Sequence, residues 1–445
     1  MTMNVIGIDI GTSTICVNAV DSDSGEVIFS KTIPNRHDLT GRSFERLQEP
    51  NDIYLDAKSL IDEAMSKAAA GAVGVTGQMH GIVYLDKYGN ALSPLYTWQD
   101  LTGNESSGSG LTFSEELAKM SGMQVASGFG CVTCYAHSKT ADIPGDAACF
   151  CTIHDFVAMK LCGKSAPRVH SSDAASFGLF DIGKGGFDET ACSAAGIIRY
   201  LPSVESGLKV LGEYRGAAVC IAIGDNQASF TGSVSTASNS LLVNIGTGGQ
   251  VSFCADGHIV SPFLEERPWY DDKILTVGCS LCGGRAYAML ASFFEQCSIM
   301  SSGERPSDIY AAMERACEEL PDRPLSVKTT FGGTRLEPDM TGSILDITTT
   351  NFTPASLIRG FINGIADELI SFVPDSFRPG LLVGSGNGLR KNRLLRETFS
   401  ERFSLPVLMT RHCEEASFGA ALAAMVACGE KSSMEQAQKL VKYSE

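Results

Sequence analysis

The stretch NVIGIDIGTST, residues 4–14, limits the fold more than any other part of the chain. An apolar run suited to a strand ends on Asp9, turns at Gly11 and continues through Thr12 and Ser13. LLVNIGTGGQVSF at 241–253 repeats the design, with Asn244 in the place of Asp9. A strand, a tight turn and a second strand therefore stand at the head of each half. Gly11-Thr12-Ser13 and Gly246-Thr247-Gly248-Gly249 read equally as hairpin turns or as backbone nests whose N–H groups converge on a phosphate. The repetition, and the carboxylate at Asp9, favour the phosphate reading. An acid beside a phosphate nest makes sense when Mg2+ stands between them.

Between these units the pattern alternates. Strands are expected at 4–10, 15–20, 26–33 and 219–224, with a helix at 53–69. TGNESSGSG at 102–110 is a loop, and the small, polar residues 233–240 form a junction. Thr353-Pro354 opens a helix whose stripe runs through Leu357, Phe361, Ile365 and Leu369. A strand and glycine loop at 380–388, a helix at 389–402, a strand at 405–410 and a helix at 414–428 complete α/β layers. A chain of 445 residues suits two or three domains. We divide it at 236/237. The net charge of −16 argues against nucleic acid or an anionic membrane as partner. The sequence carries fifteen cysteines and shows no leader-like start, which together predict reduced thiols in the cytoplasm.

Four further stretches bear chemistry. In IGDNQAS, Asp225 follows a buried strand. It reads as a base that accepts a proton from a hydroxyl, or as a cap for the next helix. VGSGNG, with Gly384, Ser385, Gly386 and Asn387, is an incomplete dinucleotide fingerprint that suits a nucleotide or a plain strand–helix turn. TGQMHG and YTWQD place Gln78, Met79, His80, Trp98, Gln99 and Asp100 on two loops. Amides, an imidazole, an indole and a carboxylate together suit a sugar, and equally a satisfied buried polar cluster. CGKSAPR lacks the first glycine of a P-loop, because Ala158 stands there. Cys131, Cys134, Cys149, Cys151 and His154 have spacing that zinc could use, as do Cys279 and Cys282, but their apolar surroundings favour core thiols.

Taken in order, GIDIGTST, GQMHG, TWQD, IGDNQAS, NIGTGG, VGSGNG and EEASFGAALAA resemble the FGGY carbohydrate kinases. SGFGCVT, TIHDFVAMKLCG and SDAASFGLFD are similar to the sedoheptulokinase branch of that family. The resemblance implies a two-domain actin/hexokinase-like (ribonuclease H-like) ATPase fold with an interdomain cleft. Sugar and the catalytic acid would lie on 1–236 and nucleotide on 237–445. It implies ATP and Mg2+ as cofactors and transfer of a phosphoryl group to the terminal hydroxyl of a ketose, sedoheptulose first, xylulose or another polyol as the alternative. A non-catalytic, ATP-binding sugar sensor is the remoter one. Asp225 would be the base. Asp9 would hold the metal with Asp225 facing it. Gly11, Thr12, Ser13, Gly246, Thr247 and Gly248 would grip phosphates, and residues 384–387 would meet the nucleotide. Gln78, Met79, His80, Trp98, Gln99, Asp100 and Asn226 would contact the sugar. A homodimer is compatible with this reading. The family's basic residue after the Trp-Gln-Asp acid is absent, since LTGNESSGSG follows.

Overall fold

The computed structural model describes residues 3–444 apart from 256, 260, 271–272, 319–323, 335–336 and 338. It divides into two compact units. The first takes Met1–Ser235, Arg267–Lys273 and His412–Lys442, and the second Thr236–Glu266, Ile274–Arg411 and Tyr443–Glu445. The cut at 236/237 therefore describes the first crossing only. Residues expected in the second half return to the first unit, for a packing reason given below.

In the first unit, β1 (Asn4–Ile10) and β2 (Thr14–Asp21) form the expected hairpin, with Ile10 opposite Ile15 and Gly11 N–H donating to Thr14 O at 2.9 Å. The sheet extends to β3 (Val27–Pro34). Helix α1 (Pro50–Lys67) starts on Pro50, with the Glu49 side chain accepting from Asn51 N–H, and buries Ile53, Ala57, Leu60, Ile61 and Ala64. It leads into β4 (Ala70–Gly77), which runs parallel to β1. Further along come helices α2 (Ile153–Leu161) and α3 (Ser171–Ser176). Strands β5 (Val210–Tyr214), β6 (Ala217–Cys220) and β7 (Ile223–Gly224) then precede helix α4 (Asp225–Ser233). The sheet order is β5-β6-β4-β1-β2-β3, with β7 also on β4.

The single strand expected at 219–224 is thus two strands on one partner. Val219 pairs with Val73 and Ile223 with Thr76, so four steps on one strand match three on the other. The extra residue is a bulge-like irregularity, a device common where a strand must re-aim its end.

The second unit repeats the plan. β8 (Ser240–Ile245) and β9 (Gly249–Cys254) form its hairpin, followed by β10 (Leu264–Pro268), whose last two residues count with the first unit, then β11 (Ile274–Ser280) and helix α5 (Gly283–Ser302). Helix α6 (Pro354–Ser371) is capped by Thr353 and buries Leu357, Phe361, Ile365 and Leu369, as their spacing predicts. It precedes β12 (Leu381–Ser385), which is parallel to β8. The helix expected at 389–402 is broken in two, α7 (Gly386–Lys391) and α8 (Arg393–Phe403). Asn392 causes the break, because its side chain caps Leu395 N–H at 3.0 Å. β13 (Val407–Met409) gives the sheet order β10-β11-β9-β8-β12-β13.

Helix α9 (Glu415–Ala427) belongs to the first unit. Every residue from Ser417 to Met425 is buried, as befits a helix that is apolar all round. It lies on the sheet at backbone contact. A Cβ on Gly7 of β1 would stand 1.8 Å from Ser417 O, and one on Gly74 of β4 would stand 2.0 Å from Ala420 O. On its other side, a Cβ on Gly419 would stand 1.8 Å from Ala228 O of α4. Asn18 of β2 fixes the register by donating to Ser417 Oγ at 2.8 Å, a fully buried bond. The polar bond and the missing side chains act together, which is why this helix leaves its neighbours in sequence. Gly419→Val should lower unfolding free energy by roughly 3 kcal/mol or more, read by urea denaturation. An unchanged midpoint would show that α9 does not seal this layer.

Candidate functional site

Three parallel strands of the first unit end side by side. Asp9 pairs with Thr76 and Ile10 with Gly77 across β1 and β4, and Gly224 of β7 pairs with the same Gly77. Asp9, Gln78 and Asp225 therefore leave the sheet together at its carboxyl edge, the place where open α/β sheets bind ligands. Asp225 is the first residue of α4. Gly224 is the N-cap, and α4 has no side-chain cap bond. Of the two sequence readings of Asp225, helix cap and reactive acid, the geometry withdraws the cap.

The electrostatics match a site built for positive charge. Burial first, then the Asp225 and Glu414 carboxylates, push Asp9 up to about 8. Burial also raises Asp225, while His154 and Arg267 pull it down. Asp9 Oδ1 is buried with no hydrogen-bond partner. Hard carboxylate oxygens without protein donors are what Mg2+ takes as ligands, so these residues fit that ion. Glu414, immediately before α9, opens the EEASFGAALAA stretch, for which the sequence reading assigned no site role. Only folding over some four hundred residues brings it to Asp9.

The two polar loops meet the first turn. Trp98 Nε1 donates to Thr12 Oγ1 at 2.9 Å, and Thr12 Oγ1 donates to Gln78 Oε1 at 3.1 Å. Gln78 Nε2 reaches Gln48 Oε1, and Gln48 Nε2 holds Thr12 O, both at 2.9 Å. Asn35 supports the turn from behind through Gly11 O at 2.9 Å and Ser13 O at 2.8 Å. Met79 is buried, and its sulfur would lie 2.6 Å from a Cβ on Gly224, so this loop packs directly on the residue before Asp225. His80 holds a left-handed backbone with φ 71° and stacks on Phe129 at 4.7 Å. Its Nδ1 lies 2.7 Å from Ser176 O, an acceptor only, so Nδ1 carries a proton.

Asp100 stands apart from the other sugar candidates. It has no exposed surface, and its two oxygens accept Arg46 N–H at 3.2 Å and Thr102 N–H at 3.0 Å. It shapes its loop, while Trp98 and Gln99 stay exposed. It also brings in a basic segment absent after residue 100. A cavity of about 290 Å³ beside Thr12 is lined by Asp38, Arg42, Arg46, Thr97 and Gln99. Asn226 has a buried side-chain oxygen without a partner.

In the second unit, the expected phosphate residues also gather at strand ends. Gly246 and Thr247 are exposed in the turn after β8. The first turn of α5 packs on it, with Gly284 N–H donating to Gly246 O at 3.1 Å and Arg285 N–H to Thr247 O at 2.9 Å. A Cβ on Gly284 would stand 2.1 Å from Gly246 O, a close approach the sequence reading missed. Asn244 pairs with Ser385, so the loop of Gly384, Ser385, Gly386 and Asn387 adjoins this turn. Gly386 has φ 80° and faces Ile245 O. Among the described residues the cysteines form no cluster of three metal-ligating side chains, and His154 lies with Asp155 and Asp173 instead.

Comparison with known proteins follows this geometry. Residues 4–224 match the model described as the FGGY family of carbohydrate kinases, N-terminal domain. The chain is 28% identical to sedoheptulokinase of Mus musculus over 79% of its own length and 80% of the relative's. It is 26% identical to a xylulose kinase of Streptomyces rubiginosus over 64% and 63%. Among solved structures, a xylulose kinase from Rhodospirillum rubrum superposes with a TM-score of 0.85 at 20% identity, covering 99% of this chain and 93% of that one. Gluconate kinase from Lactobacillus acidophilus gives 0.84 at 16%, covering 100% and 93%. The likenesses to solved structures show that the chain shares their fold.

The raised Asp9 has a consequence for stability. Its folded value of about 8 exceeds the ordinary 3.8, so the folded protein binds the extra proton and loses stability as pH rises from about 4 through about 8. Asp9→Asn should raise the melting temperature of the ligand-free protein at pH 8 and flatten this slope. Equal melting profiles for both proteins from pH 5 to pH 8 would contradict the assignment.

Proposed function

We propose, from the premise that this chain belongs to the FGGY family of carbohydrate kinases, that it transfers the terminal phosphoryl group of ATP to the end hydroxyl of a ketose, sedoheptulose, giving the 7-phosphate. The observation that carries the reading is Asp225, an acid at the carboxyl edge of the sheet, beside Asp9, that does not cap its helix. Asp225 orients the hydroxyl and accepts its proton as the oxygen attacks. Mg2+, held at Asp9 with Asp225 facing it, would supply charge neutralisation for the phosphates. Gly11, Thr12 and Ser13 bind phosphate oxygens in the first unit, and Gly246, Thr247 and Gly248 in the second, with 384–387 against the nucleotide. Gln78, Met79, His80, Trp98, Gln99 and Asn226 hold the sugar, and Asp100 positions that loop. Holding the reactants aligned provides much of the acceleration in such transfers.

The sedoheptulose choice is supported by the match to sedoheptulokinase, 28% identical over 79% of this chain. Xylulose is the second reading, favoured by the matching xylulose kinases. A panel of C5 to C7 ketoses with coupled ADP detection separates them, sedoheptulose giving the highest kcat/KM. The highest value with xylulose would transfer the assignment to that sugar. ATP turnover indifferent to every sugar would remove the kinase reading. Asp225→Ala should lose roughly 10²–10⁴-fold in kcat while folding normally. Turnover near that of the unsubstituted protein would remove Asp225 as the base.

A further inference from the structure

A short hairpin outside the main sheet brings a cation to the loop that carries Trp98 and Gln99. Strand Leu47–Gln48 pairs with Asp38–Leu39 on one side and with Leu95–Tyr96 on the other. Three further bonds hold the two segments together. Thr97 N–H donates to Arg46 O and Leu101 N–H to Phe44 O, both at 2.9 Å. Arg46 N–H donates to Asp100 Oδ2 at 3.2 Å. The main chain of Arg46 is thus bonded to the loop at both ends of its Trp-Gln-Asp sequence. The sequence has no Lys or Arg between Asp100 and Lys119, so positive charge reaches this loop from the hairpin.

Thr12, Asp38, Arg42, Glu45, Arg46 and Gln99 line the cavity of about 290 Å³ formed here. Its charged groups differ in what they already hold. Arg42 pairs with Glu45 at 2.8 Å and with Asp142 at 3.1 Å. Asp38 accepts Gln48 Nε2 at 3.0 Å. Arg46 is exposed and forms no ion pair with the described residues. Its Nη1 donates to Ser43 O at 2.9 Å and to Glu45 O at 2.7 Å. These bonds fix the guanidinium through one nitrogen and leave the edge of Nε and Nη2, two donors side by side, for two oxygens of a ligand. The two arginines and two acids lining the cavity cancel in charge, so it has no net attraction for an anion. Donors and acceptors interleaved at zero net charge suit a neutral polyol. Thr12 connects the cavity to the reacting end. Its hydroxyl donates to Gln78, which follows Gly77, the register partner of the residue before Asp225.

We propose that Arg46 is a specificity-determining residue for the sugar: its Nε and Nη2 donate to two neighbouring hydroxyls of the ketose, away from the hydroxyl that receives the phosphoryl group. This rests on the ketose-kinase reading above and names a residue that recognises the rest of the substrate. The two hydroxyls take no part in the reaction, so the contact is the same in the ground state and the transition state. It therefore acts on sugar binding and leaves the chemical step alone.

The test compares Arg46→Met and Arg46→Lys with the unsubstituted full chain, using ATP, Mg2+ and the ketose of highest kcat/KM. Arg46→Met should raise the sugar KM about 10- to 100-fold, with kcat and the ATP KM moved by no more than about twofold. Arg46→Lys should recover at most about threefold of this loss, because an ammonium is a point charge and not a fork. Among monodeoxy analogues of that ketose, at least one should lose about tenfold in kcat/KM with the unsubstituted protein and less than about twofold with Arg46→Met. An unchanged sugar KM in Arg46→Met, full recovery by lysine, or losses that add at every carbon would overturn the contact. Gluconate phosphorylated better than every ketose would overturn the neutral polyol. Binding is also read without ATP. The sequence has two tryptophans, Trp98 exposed and Trp269 buried, so the fluorescence change on adding ketose reports this loop. Ketose binding weakened about tenfold or more by Arg46→Met, in a protein whose ATP turnover no sugar stimulates, would uphold Arg46 and sink the kinase reading. Sugar-dependent turnover with equal KM and equal binding in both proteins would sink this inference alone.

Discussion

The first unit depends on one contact, the approach of α9 to β1 and β4 without side chains between them. Gly7 and Gly74 give the helix backbone room to lie against the sheet, and Gly419 gives α4 the same room on the far side. Helix α4 starts at Asp225 and strand β1 carries Asp9, so both acids are held by elements that α9 touches. A layer only one backbone thick has little slack. The separation of the two backbone segments that carry these acids is therefore set by close packing of main chain, which suits chemistry that depends on alignment.

The same acids are costly to the fold that holds them. Asp9 is buried beside like charges and lacks a donor for one oxygen. Sites that need a cation or a proton acceptor are often kept in this strained electrostatic condition, and ligand binding relieves it. The neighbouring polar network is relaxed by contrast. Thr12, Gln78, Gln48 and Trp98 satisfy one another. Charge imbalance and hydrogen-bond saturation thus stand side by side, with the imbalance where phosphate and metal chemistry is expected.

Much of this was legible in the sequence because it is local. The hairpins around Gly11 and Gly246, the stripe of α6 and its Thr353 cap follow from spacing and turn chemistry within a few residues. The break at Asn392 was missed because an internal cap competes with helix periodicity. The split between β6 and β7 was missed because a bulge leaves no mark in an apolar run. Asp225 is a candidate by its place after a strand, but that it does not cap its helix is visible only in the coordinates. Asp100 shows the opposite error: its residue type suits a sugar, and its burial gives it to backbone amides. Glu414, Gln48 and the pairing of His154 with Asp173 depend on contacts between distant segments, which one sequence does not display.

The return of α9 also has a consequence in time. Asn18 and Ser417 are 399 positions apart, yet they share a buried bond under the first unit's central sheet. During synthesis β1 and β2 emerge early and remain uncovered on one face until the helix that seals them leaves the ribosome. Closing so long a loop is slow compared with local folding. The second unit, whose strands and helices lie largely between 236 and 411, meets its own partners sooner. The half made first is thus the half finished last, and its apolar sheet is the surface on which a nascent-chain chaperone would act.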